Sequence, residues 1–225
     1  MFFAHLPVHE QITLAFAAMA LMLSFGMLVH PRVVTVVKMF ALQGLFVSIV
    51  TALAATIDGA PHLYFSALLT LVLKVILIPY MLFRMIKKFD MYFVQDEVLH
   101  PVLTILGAGA LVIFCYDRTL PIAVSAASLT GHLIAICMSI VLIGMVMLIS
   151  RKTAISQVAG FMTIENGLFF AAVSITDGMP MIVEFGVAFD VLVASVIFGV
   201  FFLHIKESIE SLNIGSMADL SEKDS

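Results

Sequence analysis

The sequence predicts an all-α integral membrane protein, and three observations lead to this fold class. Of its 225 residues 62% are hydrophobic, only 12% are charged, and the apolar residues fall in seven long runs. A soluble domain carries about 25% charged residues, so a water-soluble globule of this composition would lack the ionic groups to cover its surface. A soluble or disordered chain is therefore excluded, and the net charge of −4 gives no reason to expect nucleic-acid binding.

Each apolar run is long enough to cross the hydrocarbon core, which takes about 20 residues. Short polar segments, such as Asp117–Arg118, separate the runs. The predicted spans are residues 12–29, 33–57, 62–83, 98–116, 129–150, 153–175 and 180–204. The stretch 120–150 has two interpretations, one long tilted helix or a short interfacial piece followed by a helix.

Positive charge indicates the orientation. If the first of seven spans begins outside, nine Lys and Arg residues fall on or near the inner side, and Arg118 alone falls outside. These nine are Arg32, Lys38, Arg84, Lys87, Lys88, Arg151, Lys152, Lys206 and Lys223. Because inner loops carry the excess of basic residues, we expect the N-terminus outside and the C-terminus inside.

An internal repeat divides the predicted bundle. Residues 39–46 (MFALQGLF) match residues 162–169 (MTIENGLF) at four positions, at an offset of 123, and a DG-x-P segment occurs at 58–61 and at 177–180. Chance similarity between apolar helices is one explanation. The other is a parallel repeat of two three-helix units joined by a linking helix. We place a four-helix region at 1–117, a three-helix region at 118–205 and a polar cytoplasmic tail at 206–225.

Four polar residues are predicted to lie near the membrane midplane. At a rise of about 1.5 Å per residue, Glu165 lies about 18 Å from the inner end of its span and Lys74 about 18 Å from the outer end of its own. Asp190 lies about 15 Å from the outer end of its span and Gln43 about 15 Å from the inner end. An ionisable group in hydrocarbon costs roughly 2.5–3.5 kcal/mol on insertion scales. Such a cost requires a role for these side chains.

Two roles are open for this buried row. In the first, Glu165 and Asp190 exchange protons or hold cations near neutral pH, because burial penalises the charged form, and Lys74 modulates them. In the second, a static salt bridge, for example between Asp190 and Lys74, ties two helices together. Asn166 is expected to be a hydrogen-bond partner and Gln43 a helix–helix contact.

Three residues outside this row bear on the prediction. His132 is interfacial if its span begins near 129 and mid-membrane if it begins near 121. His204 lies on nearly the same helix face as Asp190, at the inner boundary, where it either caps the helix or relays protons. Pro79 should kink the third span and free a backbone carbonyl.

No cofactor is expected in this chain. Cys115 and Cys137 are its only cysteines, whereas an iron–sulfur cluster needs four thiolates and a structural zinc four ligands.

The C-terminal stretch from Gly131 to Met217 resembles NuoK, a small three-helix membrane subunit of respiratory complex I. The shared features are a His/Gly start, a basic pair after the first helix, a mid-helix acid in the second helix (Glu165), an acid in the third (Asp190) and a tail with Leu-Asn-Ile. The whole chain, with its extra N-terminal half, resembles component E of hydrogenase-4 (HyfE) in formate hydrogenlyase-type group 4 membrane hydrogenases. Asp190 stands where NuoK has glutamate, and Leu42 stands at the position of Glu165 in the N-terminal repeat.

The resemblance implies a non-catalytic, multi-pass subunit in the cytoplasmic membrane of a prokaryote. It would lie in the membrane arm of a redox-driven complex that moves protons or sodium, beside antiporter-like membrane subunits and peripheral hydrogenase-type subunits that hold the NiFe centre and iron–sulfur clusters. The alternatives are a structural scaffold in the same complex and a stand-alone secondary transporter. Apart from Pro79, no span shows the interruption that builds a transporter's substrate site.

Overall fold

The computed structural model describes residues 7–58, 61–89, 100–125 and 128–175, and parts of the last span at 186, 188–196 and 199. These residues are almost entirely helical and include no β-strand. The polar tail, most of the predicted span 180–204 and His204 lie outside the described residues.

The helices are numbered in chain order. Their bounds are α1 Val8–Val29, α2 Val33–Asp58, α3 Pro61–Thr70, a π-helical segment Leu71–Leu77, α4 Ile78–Phe89, α5 Pro101–Ser125, α6 Ser128–Ser150 and α7 Ala154–Ile175. Residues 188–196 are also helical and are called α8.

Within the described residues, five helices are long and apolar enough to cross a membrane. They are Val8–Val29, Val33–Thr56, Leu63–Lys88, Pro101–Thr119 and His132–Ser150. Helix α7 is as long as α1, with 22 residues. It is more polar than α1, because it contains Gln157, Glu165 and Asn166. The prediction of an all-α, multi-pass membrane protein is confirmed.

One predicted helix end is wrong. The polar pair Asp117–Arg118 was expected to end the fourth span at residue 116, but α5 continues through both residues to Ser125. The two side chains are 72% and 69% exposed, their Oδ2 and Nε atoms lie 3.9 Å apart, and the Arg118 guanidinium lies 5.3 Å from the Phe114 ring centroid. Exposed charges of this kind end an apolar run without breaking the backbone hydrogen bonds of a helix.

The end of α5 also shows which interpretation of the stretch 120–150 is wrong. Residues 120–125 complete α5, and α6 begins separately at Ser128, so this stretch is not one long helix. The domain boundary placed between residues 117 and 118 falls within α5.

The third span is irregular around Lys74. The π-helical segment Leu71–Leu77 ends two residues before Pro79, and the backbone N–H of Ile78 donates to the Leu73 carbonyl, five residues back. Pro79 has no N–H to donate, which disfavours a regular α-helical turn at this point. Short π segments of this kind often occur at functional sites.

Glycines allow α6 and α7 to pack closely. A Cβ atom at Gly144 would lie 2.7 Å from Ile164 Cγ1, one at Gly160 3.2 Å from the Gly144 carbonyl oxygen, and one at Gly167 2.9 Å from Val141 Cγ2. The helices approach at distances that side chains at these positions would prevent.

The core consists of two apolar clusters with polar side chains between them. One includes Met27, Phe40 and Met162, and the other includes Val47 and Phe170. Between the clusters, α2 and α7 bury polar side chains, which are Gln43 in α2 and Thr163, Glu165 and Asn166 in α7. The two apolar layers therefore enclose a buried polar layer at mid-height.

Helices α2 and α7 run side by side in the same direction. The Arg151 side chain, just before α7, donates hydrogen bonds to the carbonyl of Leu28 and, at 3.5 Å, to that of His30. The turn before α7 therefore lies beside the turn before α2, and the two helices start at the same end of the bundle.

Candidate functional site

Lys74 lies at the centre of the polar layer and is completely buried. The π-helical segment carries it, and Gly44 of α2 lies directly against its backbone. A Cβ atom at Gly44 would be 2.8 Å from Lys74 Cβ. The absence of a side chain at residue 44 therefore lets α2 approach the third span at this level.

Two carboxylates face the Lys74 ammonium group. Glu165 of α7 pairs with Nζ through Oε2, and Asp190 of α8 places Oδ2 3.4 Å from Nζ. Glu165 is 6% exposed and Asp190 is fully buried. The Phe169 ring centroid lies 5.1 Å from Nζ, a cation–π distance. The cluster, Lys74 with Glu165 and Asp190, is called the charge triad.

The charge triad contains more acid than base and more acceptors than donors. Glu165 Oε1 and both oxygens of Asp190 have no hydrogen-bond partner among the described residues. Buried polar atoms in native proteins nearly always have a partner, and buried charge is normally paired. With both acids ionised the triad has a net charge of −1, so one additional positive charge would neutralise it.

A chain of amide hydrogen bonds leaves the triad on its other side. Lys74 Nζ donates to Asn166 Oδ1 at 2.9 Å, and Asn166 Nδ2 donates to Gln43 Oε1 at 3.0 Å. Gln43 Nε2 donates to the Ala20 carbonyl at 3.1 Å and to Ser24 Oγ at 2.9 Å. This amide chain connects α7 to α2 and α1.

The fold thus brings together five of the seven predicted site residues, namely Lys74, Glu165, Asp190, Asn166 and Gln43. His132 does not belong to this group. Because α6 begins at Ser128, His132 lies near the start of the helix, as the interfacial interpretation expects. Its ring centroid is 6.3 Å from that of Tyr116. His204 lies outside the described residues.

Sequence reasoning missed two polar residues. Ser24 is buried and belongs to the amide chain. Its position as a polar residue inside the first apolar span was the available signal. Arg151, 2% exposed, reaches the carbonyls at the end of α1. Nothing in the sequence distinguishes it from its exposed neighbour Lys152.

The described residues include no group of three or more His, Cys, Asp or Glu side chains placed to hold a metal ion. Cys115 and Cys137 are buried free thiols. Three of the buried oxygen atoms that have no hydrogen-bond partner among the described residues belong to the charge triad, and the others are Thr70 Oγ1 and Ser150 Oγ. The centre of the triad is occupied by an ammonium group. The arrangement suits the uptake and release of a small positive charge by the carboxylates.

Comparison with known proteins gives distant relatives. The chain is 24% identical over 213 residues to an uncharacterised protein of Mycobacterium tuberculosis, covering 94% of this chain and 97% of that protein. It is 21% identical over 158 residues to hydrogenase-4 component E of Escherichia coli K12 and of Shigella flexneri, covering 70% of this chain and 73% of each relative. No family model and no solved structure matches. The resemblance to NuoK stays a prediction, and the chain is a multi-pass α-helical membrane protein similar to hydrogenase-4 component E.

Proposed function

We propose that this chain is a non-catalytic membrane-arm subunit of a redox-driven, complex I-related hydrogenase-type complex that translocates protons or sodium. Glu165 and Asp190 are its protonatable residues, and Lys74 is the fixed charge between them. The observation that carries the proposal is the buried charge triad, which has more acid than base and three carboxylate oxygens that accept no hydrogen bond from the described part of the chain.

The excess of acid argues against a purely static role. A static pair that ties two helices together requires one acid and one base, and a second buried carboxylate would add a desolvation cost without a partner. In a transport role the second acid is needed, because charge must leave one group and arrive at another. The cost of placing ionisable groups at mid-membrane depth is then offset by function.

The remaining features of the proposal follow the relatives and the charge pattern. The chain lies in the cytoplasmic membrane of a prokaryote, with its N-terminus outside and its C-terminus inside. Its partners are antiporter-like membrane subunits and peripheral hydrogenase-type subunits, which carry the NiFe centre and the iron–sulfur clusters. The two three-helix units form a parallel repeat; the common direction of α2 and α7 and the contact between Gln43 and Asn166, residues 123 positions apart, support this.

The test is proton translocation by the assembled complex in membrane vesicles. Glu165→Gln keeps the shape of the side chain but removes the ionisable group, so we expect assembly to be retained and translocation to fall. Asp117→Asn is the matched control, because it makes the same chemical change at an exposed site. Translocation by Glu165→Gln at the rate of Asp117→Asn would reject the proposal.

A structural scaffold in the same complex is the second candidate. The observation that favours it is that the triad and the amide chain connect α1, α2, the third span, α7 and α8. In that role, charge-conserving changes such as Asp190→Glu would matter little, and removal of either partner of a buried pair would disrupt assembly. Blue-native gels of the two kinds of variant, together with the transport rates, separate these functions.

A further inference from the structure

We propose that Gln43 is a positioning residue, which fixes the Asn166 amide so that Lys74 remains a hydrogen-bond donor to it. In this proposal the amide chain holds the charge triad in place and does not carry ions. This inference rests on the proposed function of the charge triad. It assigns the N-terminal helices an anchoring role and leaves ion transfer to the side of Glu165 and Asp190.

The direction of the amide chain is fixed at its α1 end. The Ala20 carbonyl can only accept, so the NH2 group of Gln43 must face it. Ser24 Oγ uses its own proton to donate to the same carbonyl at 3.0 Å, and it therefore accepts from Gln43. Both hydrogens of Gln43 Nε2 are then in use, and its Oε1 must face α7.

The remaining links follow from this first one. Gln43 Oε1 can only accept, so Asn166 presents Nδ2 to it, and the Asn166 oxygen must point towards Lys74. Reversing the chain would turn both amides and place the Gln43 oxygen against the Ala20 oxygen, with neither able to donate. A buried acceptor left in that state costs far more than a typical hydrogen bond contributes.

This direction has a consequence for Lys74. Its ammonium group donates to Asn166 Oδ1 and Glu165 Oε2, and it forms an ion pair with Asp190 Oδ2 at 3.4 Å. The titratable groups that face it among the described residues are Glu165 from α7 and Asp190 from α8, while α2 packs Gly44 against its backbone. Since Asn166 accepts from Lys74 and cannot donate to it, Lys74 acts as the donor on that side, and we assign the proton that moves to the carboxylates.

The first experiment measures the pH profile of proton translocation in vesicles that contain the whole complex. Gln43→Met keeps the volume of the side chain but removes its hydrogen bonds. Thr51→Val is the control in the same helix, because the Thr51 hydroxyl is buried and donates only to the Val47 carbonyl of its own helix. We expect Gln43→Met to shift the pH profile and to lower the maximal rate by about tenfold or less, the size that loss of such hydrogen bonds predicts. Thr51→Val should follow the wild type.

Two outcomes would overturn the inference. Loss of translocation at every pH in an assembled Gln43→Met complex would mean that the amide chain carries ions. A pH profile equal to that of Thr51→Val would mean that Gln43 does not position the triad. If Gln43→Met does not assemble, Ser24→Ala takes its place, because it removes only one of the two acceptors of Gln43. Ser24→Ala should shift the pH profile in the same direction by a smaller amount. An unshifted profile again rejects the inference.

A second measurement separates this inference from the proposed function. In 15N-lysine-labelled protein in lipid, the Nζ signal of Lys74, assigned by its absence in Lys74→Arg, reports the hydrogen bonds of the ammonium group. We expect the chemical shift of this signal to change in Gln43→Met, because the Asn166 oxygen is then no longer held towards Lys74. An unchanged signal rejects the positioning role even if Glu165→Gln stops translocation. If Glu165→Gln leaves translocation intact, the proposed function fails independently of this signal.

Discussion

Replacing Gly44 by alanine is expected to push Lys74 out of its place in the charge triad. The added Cβ atom would lie 2.8 Å from Lys74 Cβ and 3.6 Å from the Lys74 carbonyl group. The first distance is well below the separation of about 3.5–4.0 Å at which carbon atoms pack best. Because the atom that is contacted is the root of the side chain, no change of rotamer relieves the overlap, and the third span must move away from α2.

The magnitude follows from two opposing terms. An extra carbon in a well-packed core costs about 1–3 kcal/mol, while alanine in place of glycine in a helix gains about 0.8–1.0 kcal/mol. Gly107→Ala is the matched control, because a Cβ atom there meets nothing within 4 Å, so that only the gain applies. The free energies of unfolding of the two variants should therefore differ by about 1–3 kcal/mol.

The assay is thermal unfolding of both variants in detergent, followed by translocation in vesicles. We expect Gly44→Ala to unfold at a lower temperature than Gly107→Ala and to translocate protons more slowly than Gly107→Ala does. Equal unfolding temperatures and equal rates for the two variants would refute the close contact between α2 and Lys74.

Two further substitutions test the charges. Lys74→Met leaves two buried carboxylates without their cation, so we expect a loss of about 3–5 kcal/mol of stability and little assembled complex on blue-native gels. Adding Glu165→Gln removes one of these charges and should restore part of the assembly. No restoration would contradict the charge argument. Arg151→Met removes the donor to the Leu28 carbonyl and should lower stability by about 1–3 kcal/mol in thermal unfolding. Lys152→Met, at the exposed neighbouring residue, should change stability little. Equal effects of the two variants would argue against the buried contact of Arg151.

The common level of the three charged residues in the bundle was predictable from the sequence. Hydrophobicity gives the approximate span limits and the helix rise gives the depth, and these two quantities place Lys74, Glu165 and Asp190 at one level. The direction in which a side chain points around its helix axis is harder to predict, because it depends on packing against other helices. The sequence therefore suggested a pair of Asp190 with Lys74, and the structure adds Glu165 to the same ammonium group.

The remaining details depend on contacts between distant segments. The π-helical segment changes the side-chain register around Lys74, and a proline five residues later indicates only that some irregularity is present. The pairing of Gln43 with Asn166 and the role of Ser24 follow from the crossing of α1, α2 and α7, which no local pattern encodes. The end of α5 was missed because Asp117 and Arg118 mark where the apolar run stops, and a helix continues as long as its backbone hydrogen bonds are satisfied.

The most direct test of the central claim is whether the triad carboxylates change protonation when the complex turns over. Infrared difference spectra of the intact complex, reduced minus oxidised, report the C=O stretch of protonated carboxylic acids. We predict a carboxylic-acid band that shifts in D2O and is lost in Glu165→Gln and in Asp190→Asn but is retained in Asp117→Asn. A wild-type spectrum with no such band, or one that both triad variants leave unchanged, would contradict the claim that these buried acids take up and release a charge.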